Sequence, residues 1–327
     1  MKWRHTVYKQ RAIAAVLGLG LAMASLAAGA AYPEKPVKII VPYQPGQGTD
    51  IATRYFADYL SRALGQPFIV ENRGGAGGNI GTQMAARADP DGYTLVMGTN
   101  ATHSLNEFLY SSPGYDAIKD FDPVILVGTL PMVLLTAPGS QLKTVQDILK
   151  TAATSNRNAD IGMPSTTARL VYELLKEKSG VPLFGVPYKG SSMATTNLIG
   201  GEIAVSIDTI TAARSMIESK RLVPVAVTSL QPTQLLPGVS PVSSQGVAGF
   251  EVVAWNALFA PKGTPKAAID TINSALQKFL EQPETRKHLL GMGYDAGGGS
   301  PGDLAKFTQS EQAKWGPVIQ RAGIKFD

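Results

Sequence analysis

Beyond residue 31 the chain alternates short, β-branched apolar runs with stretches of helical period. Val37 to Pro42 is a β-branched run, apolar but for Lys38, that ends in the turn Gln44-Pro45-Gly46-Gln47-Gly48, after which Thr49-Asp50 opens a helical pattern running to Leu64. The same grammar repeats with a strand at Phe68 to Glu71, a helix at Gly81 to Ala88, and a strand at Thr94 to Met97 closed by Gly98-Thr99-Asn100. A short helical pattern, Ser104 to Leu109, follows. Strands alternating with helices predict an α/β fold built on a parallel sheet.

From Val124 the pattern gives buried strands (VILVG, then MVLLTA), a helix at Val145 to Ala153, a turn at Gly162-Met163-Pro164 and a helix from Thr167 to Ser179. A helical Ala194 to Ile199, a strand Ile203 to Ile207, a helix Ile210 to Ser219 and a strand Val223 to Thr228 come next. After the Pro/Ser/Gly-rich stretch 232–249, a strand Val252 to Ala260 and three helical patterns complete the chain. A chain of this size divides naturally into two cores. The expected division is residues 32–130 plus 248–327 in one lobe and 131–247 in the other, with crossings near Gly128 to Pro131 and Gly246 to Gly249.

Residues 1–31 change the compartment. Lys2, Arg4, Lys9 and Arg11 precede an apolar run of about 17 residues and the small-residue sequence Ala28-Gly29-Ala30, the layout of a cleaved export signal rather than of a spanning helix. They also carry four of the 30 basic residues and no acid, so 26 basic face 25 acidic residues in the remainder. The formal charge of +5 therefore belongs largely to the signal and gives no support for a nucleic-acid partner. With no cysteine, neither disulfides nor a lipid-modified cysteine is available, and a soluble periplasmic protein held by its apolar core is expected.

Candidate chemistry is sparse. The chain has three histidines, no HExxH and no Cys/His cluster, so neither a metal site nor a cofactor is expected. Gly298-Gly299-Ser300-Pro301-Gly302 matches GxSxG without the strand-then-helix context a nucleophile needs, and Ser300 reads instead as a helix N-cap with Asp303 three residues on. A secreted hydrolase would have to pair Ser300 or another hydroxyl with His103. The loops at Tyr43 to Asp50 and Gly98 to Asn100 both follow strands, where backbone N–H groups converge on a crevice in open α/β sheets. The Gly-rich run Arg73 to Gly81 reads as a flexible loop or as a set of backbone donors facing an anion.

Ordered along the chain, Tyr32-Pro33-Glu34-Lys35-Pro36, Gly48-Thr49-Asp50, Val70-Glu71-Asn72-Arg73, Pro90-Asp91-Gly92-Tyr93-Thr94-Leu95, Val186-Pro187-Tyr188-Lys189-Gly190 and Ala260-Pro261-Lys262-Gly263-Thr264-Pro265 resemble the Bug receptors of tripartite tricarboxylate transporters. The resemblance implies a two-lobed, hinged periplasmic-binding-protein architecture of type II kind. It implies a non-enzymatic protein that captures a small carboxylated molecule between its lobes and delivers it to membrane permease subunits. A sensory adapter presenting its occupancy to a membrane signalling protein is the alternative.

By position, the resemblance puts Tyr43, Gly48 and Thr49 in a first ligand loop, Gly98, Thr99 and Asn100 in a second, and Ser165, Thr166, Thr167 and Asp208 on the other lobe. Asp208, after Val205-Ser206-Ile207, is the acidic candidate for a ligand amino or hydroxyl group. The chain departs from the family where Pro-Pro-Gly-Gly becomes Gln44-Pro45-Gly46-Gln47, placing an amide where a side chain is often missing. It departs again at Gly162 to Leu170, where Arg169 replaces a usual His; it is expected on the outer face of its helix, and if it reaches the cleft instead it favours a second anionic group on the ligand.

Overall fold

The computed structural model describes residues 32–326, and the expected export signal lies outside them. The first strand, β1 (Val37–Val41), is buried at every position but Lys38 because β2 (Phe68–Asn72) and β3 (Thr94–Thr99) flank it in parallel, which is why the rest of its sequence is apolar. Between β1 and β2 runs α1 (Gly48–Leu64), whose Ala52, Phe56 and Leu60, four residues apart, pack into the core. Gly65, at φ 70°, ends it in the left-handed conformation glycine adopts freely. Helix α2 (Asn79–Ala86) returns the chain to β3. The helical pattern predicted at Ser104 to Leu109 is a wider turn, Ala101–Leu105, followed by the single-turn α3 (Asn106–Leu109).

The two predicted strands after Val124 are one, β4 (Phe121–Thr136). From Phe121 to Pro131 it pairs with β9 (Val253–Pro261), and from Met132 to Thr136 with β7 (Val205–Thr209) and β8 (Val223–Val227). One strand thus belongs to both halves of a sheet of order β2-β1-β3-β9-β4-β7-β5-β6. The second half adds α4 (Val145–Thr154), β5 (Ile161–Met163), α5 (Thr166–Ser179), β6 (Gly185–Pro187), α6 (Ser191–Gly200) and α7 (Ile210–Glu218). Gly162 and Met163, read as a turn, lie in β5, too short for periodicity to reveal.

The sheet is not parallel as expected but mixed. Where neighbouring strands are joined through local helices, β1 with β2 and β3 and β5 with β6 and β7, the pairs are parallel. Every pairing of the two long strands is antiparallel: β9 with β3 and β4, and β4 with β7 and β8. Apolar runs identify strands but carry no direction, and these pairings lie far apart in sequence.

At the place where β4 changes partners, the Thr228 hydroxyl donates to the carbonyl of Val252 at 2.6 Å and accepts from the amide of Met132 at 2.8 Å. Thr228 is wholly buried, so one side chain joins the two segments that pass between the halves. The C-terminal region packs on the first half through α8 (Lys266–Glu281), α9 (Pro283–Met292), β10 (Asp295–Gly298), which pairs with β4, and α10 (Pro301–Arg321). Ser300 caps α10: its hydroxyl accepts from Asp303 N while Asp303 accepts from Ser300 N. Among the described residues no helix is long and apolar enough to cross a membrane.

Candidate ligand-binding cleft

Between the halves lies a narrow cavity of about 40 Å³, lined by residues 43–49, 99–100, 130–132, 165–167, 191, 208–209 and 254–256, though not by every residue in those spans. Four helices begin at its wall. Gly48 and Thr49 open α1, Ser165 caps α5, Ser191 opens α6 and Thr209 caps α7. The first N–H groups of a helix have no intrahelical acceptor, and the helix dipole adds positive potential there. Four such ends at one cavity favour an anion.

The loop carrying Gly48 is held by Asp50, whose carboxylate accepts from Gly46 N at 2.9 Å, Asn72 Nδ2 at 2.9 Å and Arg54 Nε at 3.0 Å. Burial alone would raise the Asp50 pKa, but these donors outweigh it and hold the carboxyl below its ordinary value. Gly48 packs against α7: a Cβ there would come within 2.5 Å of Thr209 Oγ1.

Two hydrogen-bonded chains line the first wall. The Tyr43 phenol meets Thr99 Oγ1 at 2.8 Å, and Thr102 Oγ1 accepts from Thr99 N at 3.0 Å and meets His103 Nδ1 at 2.9 Å. Burial pushes the Tyr43 phenol well above its ordinary pKa despite the Thr99 bond, keeping it protonated. On the other side Asn256 Nδ2 donates to Thr49 Oγ1 at 3.2 Å, and the Tyr294 hydroxyl donates to Asn256 Oδ1.

The facing wall carries Asp208. It is 4% exposed, and its Oδ1 accepts from Ser191 Oγ at 3.0 Å and from Thr209 N at 2.7 Å. Burial dominates over these bonds and pushes its pKa up to about 6.

Of the residues singled out in the sequence, Tyr43, Gly48, Thr49, Thr99, Asn100, Ser165, Thr167 and Asp208 all line this cavity. Gly98 does not. It lies within β3, where a Cβ would collide with the His103 ring at 2.5 Å and with Phe259 at 2.7 Å, so its glycine serves packing. Thr166 lies outside too, donating to Gly77 O at 3.4 Å and facing a second, outer cavity. Asn100 Oδ1 accepts from Thr167 Oγ1 at 3.2 Å, a bond across the cleft.

His103 is a core residue, stacked on Phe259 with ring centroids 3.9 Å apart, and burial lowers its pKa to about 3. Ser300 is committed to its cap and does not meet His103, and the hydroxyl that does, Thr102, is buried with it, away from any substrate's reach. Arg169, expected on an outer face, instead lines the outer cavity, where its guanidinium lies 3.8 Å over the Phe326 ring and donates to Lys325 O. The loop Gly74 to Gly78 lines that outer cavity as well.

A family model described as the tripartite tricarboxylate transporter family receptor matches residues 52–324. The chain belongs to this receptor family. It is 32% identical to the protein BugT of Bordetella pertussis over 95% of this chain and 97% of that one. Among solved structures it resembles Rpa4515 of R. palustris with adipate, at a TM-score of 0.87 and 32% identity, covering 90% of this chain and all of that one. It also resembles MatC of Rhodopseudomonas palustris with bound malate, at a TM-score of 0.80 and 28% identity over 88% of this chain and all of that one. The two-lobed α/β architecture of periplasmic binding proteins is therefore that of this receptor.

Sequence reasoning missed several lining residues of the receptor. Asn256 was visible in principle, as a polar side chain inside the apolar strand VAWNALFAP, where a buried amide needs partners. Ser191 follows Gly190 at a helix start and was equally legible. Trp255, Leu130, Met132 and Ala254 carried no signal, since core strands use the same residues.

Proposed function

We propose that this receptor captures a small organic acid in the periplasm, between a lobe of residues 32–130 plus 248–327 and a lobe of residues 131–247, and presents it to membrane permease subunits. The observation that carries the reading is the convergence of four helix N-termini on one cavity, which favours a carboxylate. The change of β4 partners between Pro131 and Met132 supports the lobe boundary. The relatives solved with adipate and malate support the ligand class. No finding favours the sensory adapter.

Asp208 refines the reading. An ionised ligand carboxylate beside a buried aspartate is repelled, so the anionic end of the ligand lies toward Tyr43, Thr49 and the start of α5, while a hydroxyl or ammonium group faces Asp208. Closure over the ligand follows from its preference for the state in which both walls touch it. Calorimetric titration with malate, succinate and the neutral succinamide tests this. Both acids bind, malate tighter, and succinamide does not; equal binding of succinamide overturns the carboxylate reading.

A further inference from the structure

Gln47 belongs to both cavities of the cleft. The inner one, about 40 Å³, holds Asp208 as its one charged lining residue, whereas the outer one, about 480 Å³, is lined by Arg169 and Lys189 and, among the described residues, by no acid. The two share Tyr43, Gln47 and Ser165. Between them the buried Gln47 side chain crosses the cleft and donates from Nε2 to Pro164 O at 2.9 Å. Gln47 stands at the N-cap of α1 yet makes no side-chain cap bond, so its amide serves the opposite half and not its own helix.

We propose that Gln47 is a specificity-determining partition that sets the longest acid the receptor takes, and that the outer cavity is a second anionic subsite centred on Arg169. The inference rests on the carboxylate reading above. A second carboxylate gains nothing in the inner cavity, where Asp208 repels it, and meets two cations in the outer one. A short acid widens the inner cavity and leaves the Gln47–Pro164 contact in place. A longer diacid must pass it, which costs that hydrogen bond and the closed wall it completes.

Calorimetric titration of straight-chain diacids from malonate to sebacate tests the partition. In the wild-type protein affinity falls tenfold or more at one step of the series. In Gln47→Ala the fall moves to longer acids or vanishes, with affinity rising up to about fourfold for each methylene newly buried. Gln47→Ser, whose side chain is too short to reach Pro164, gives the same shift and guards against a folding defect in the alanine variant. Adding Arg169→Ala to Gln47→Ala removes the gain for the long acids and leaves the short ones unchanged. An unmoved break point, or no break in the wild type, overturns the partition. A gain indifferent to Arg169 overturns the subsite. Failure of every diacid with every protein overturns the carboxylate reading itself.

Discussion

On the wall built from β1, β3 and β9 the polar side chains are neutral and bonded to one another, from Tyr43 through Thr99 to Thr102 and from Thr49 through Asn256 to Tyr294. On the wall facing it a single carboxylate, Asp208, is buried with one hydroxyl and one backbone amide for partners. The neutral wall is satisfied before any ligand arrives and offers a fixed set of donors. The charged wall is costly as it stands, because two hydrogen bonds do not repay the desolvation of Asp208. The first wall suits a feature common to all the ligands, and the second discriminates among them.

The largest effect separating the walls is expected in pH dependence. The folded protein holds the Asp208 proton more tightly than the unfolded chain does, so this group's stabilising contribution is full below about pH 3.8 and lost as pH rises through about 6. Asp208→Asn removes that loss. Unfolding free energies of variant minus wild type, from urea melts, rise by about 3 kcal/mol between pH 4 and 6 and stay level above. A difference that is flat across this window contradicts a costly charged wall. The buried neutral His103 acts oppositely, adding stability as pH rises from about 3 to 6.5, and cancels in this subtraction.

Next in size is Tyr43→Phe, which removes one neutral donor from the first wall. Affinity falls about fivefold, in keeping with about 1 kcal/mol for such a bond, and falls alike for malate and succinate when titrated by calorimetry. A loss confined to the hydroxylated acid makes the neutral wall selective and breaks the contrast. The smallest effect concerns neither wall. Ser300→Ala lowers stability by about 1 kcal/mol through loss of the α10 cap, and leaves ligand affinity unchanged. Labelling of Ser300 by a serine-directed probe contradicts the role of cap.

Most of what local pattern controls was legible: β1, its loop, the face of α1 and the Ser300 cap follow from residues within a few positions of one another. Eight of the ten residues proposed for the site meet at one cavity: the loops after β1 and β3 have sequence signatures, whereas Ser165, Thr167 and Asp208 were placed by the family resemblance. Gly98 looked like a ligand loop and is packing space for His103, a partner five residues on whose ring orientation no pattern reveals. Asn256 reaches Thr49 from 207 residues away, through an antiparallel strand whose direction the apolar run does not state. Arg169 was misplaced for a similar reason, since the residues that hold it, Lys325 and Phe326, end the described chain.

Thr228 gives the two passages between lobes a mechanical property. Because one buried hydroxyl grips both Met132 and Val252, the passages cannot slide past each other without breaking a bond that has no water to replace it. The Thr228 backbone bonds both passages as well, its N–H donating to Met132 O and its carbonyl accepting from Val252 N, so the joint resists shear. The joint thereby holds the two walls in one register, the register in which Gln47 reaches the carbonyl of Pro164 across the gap.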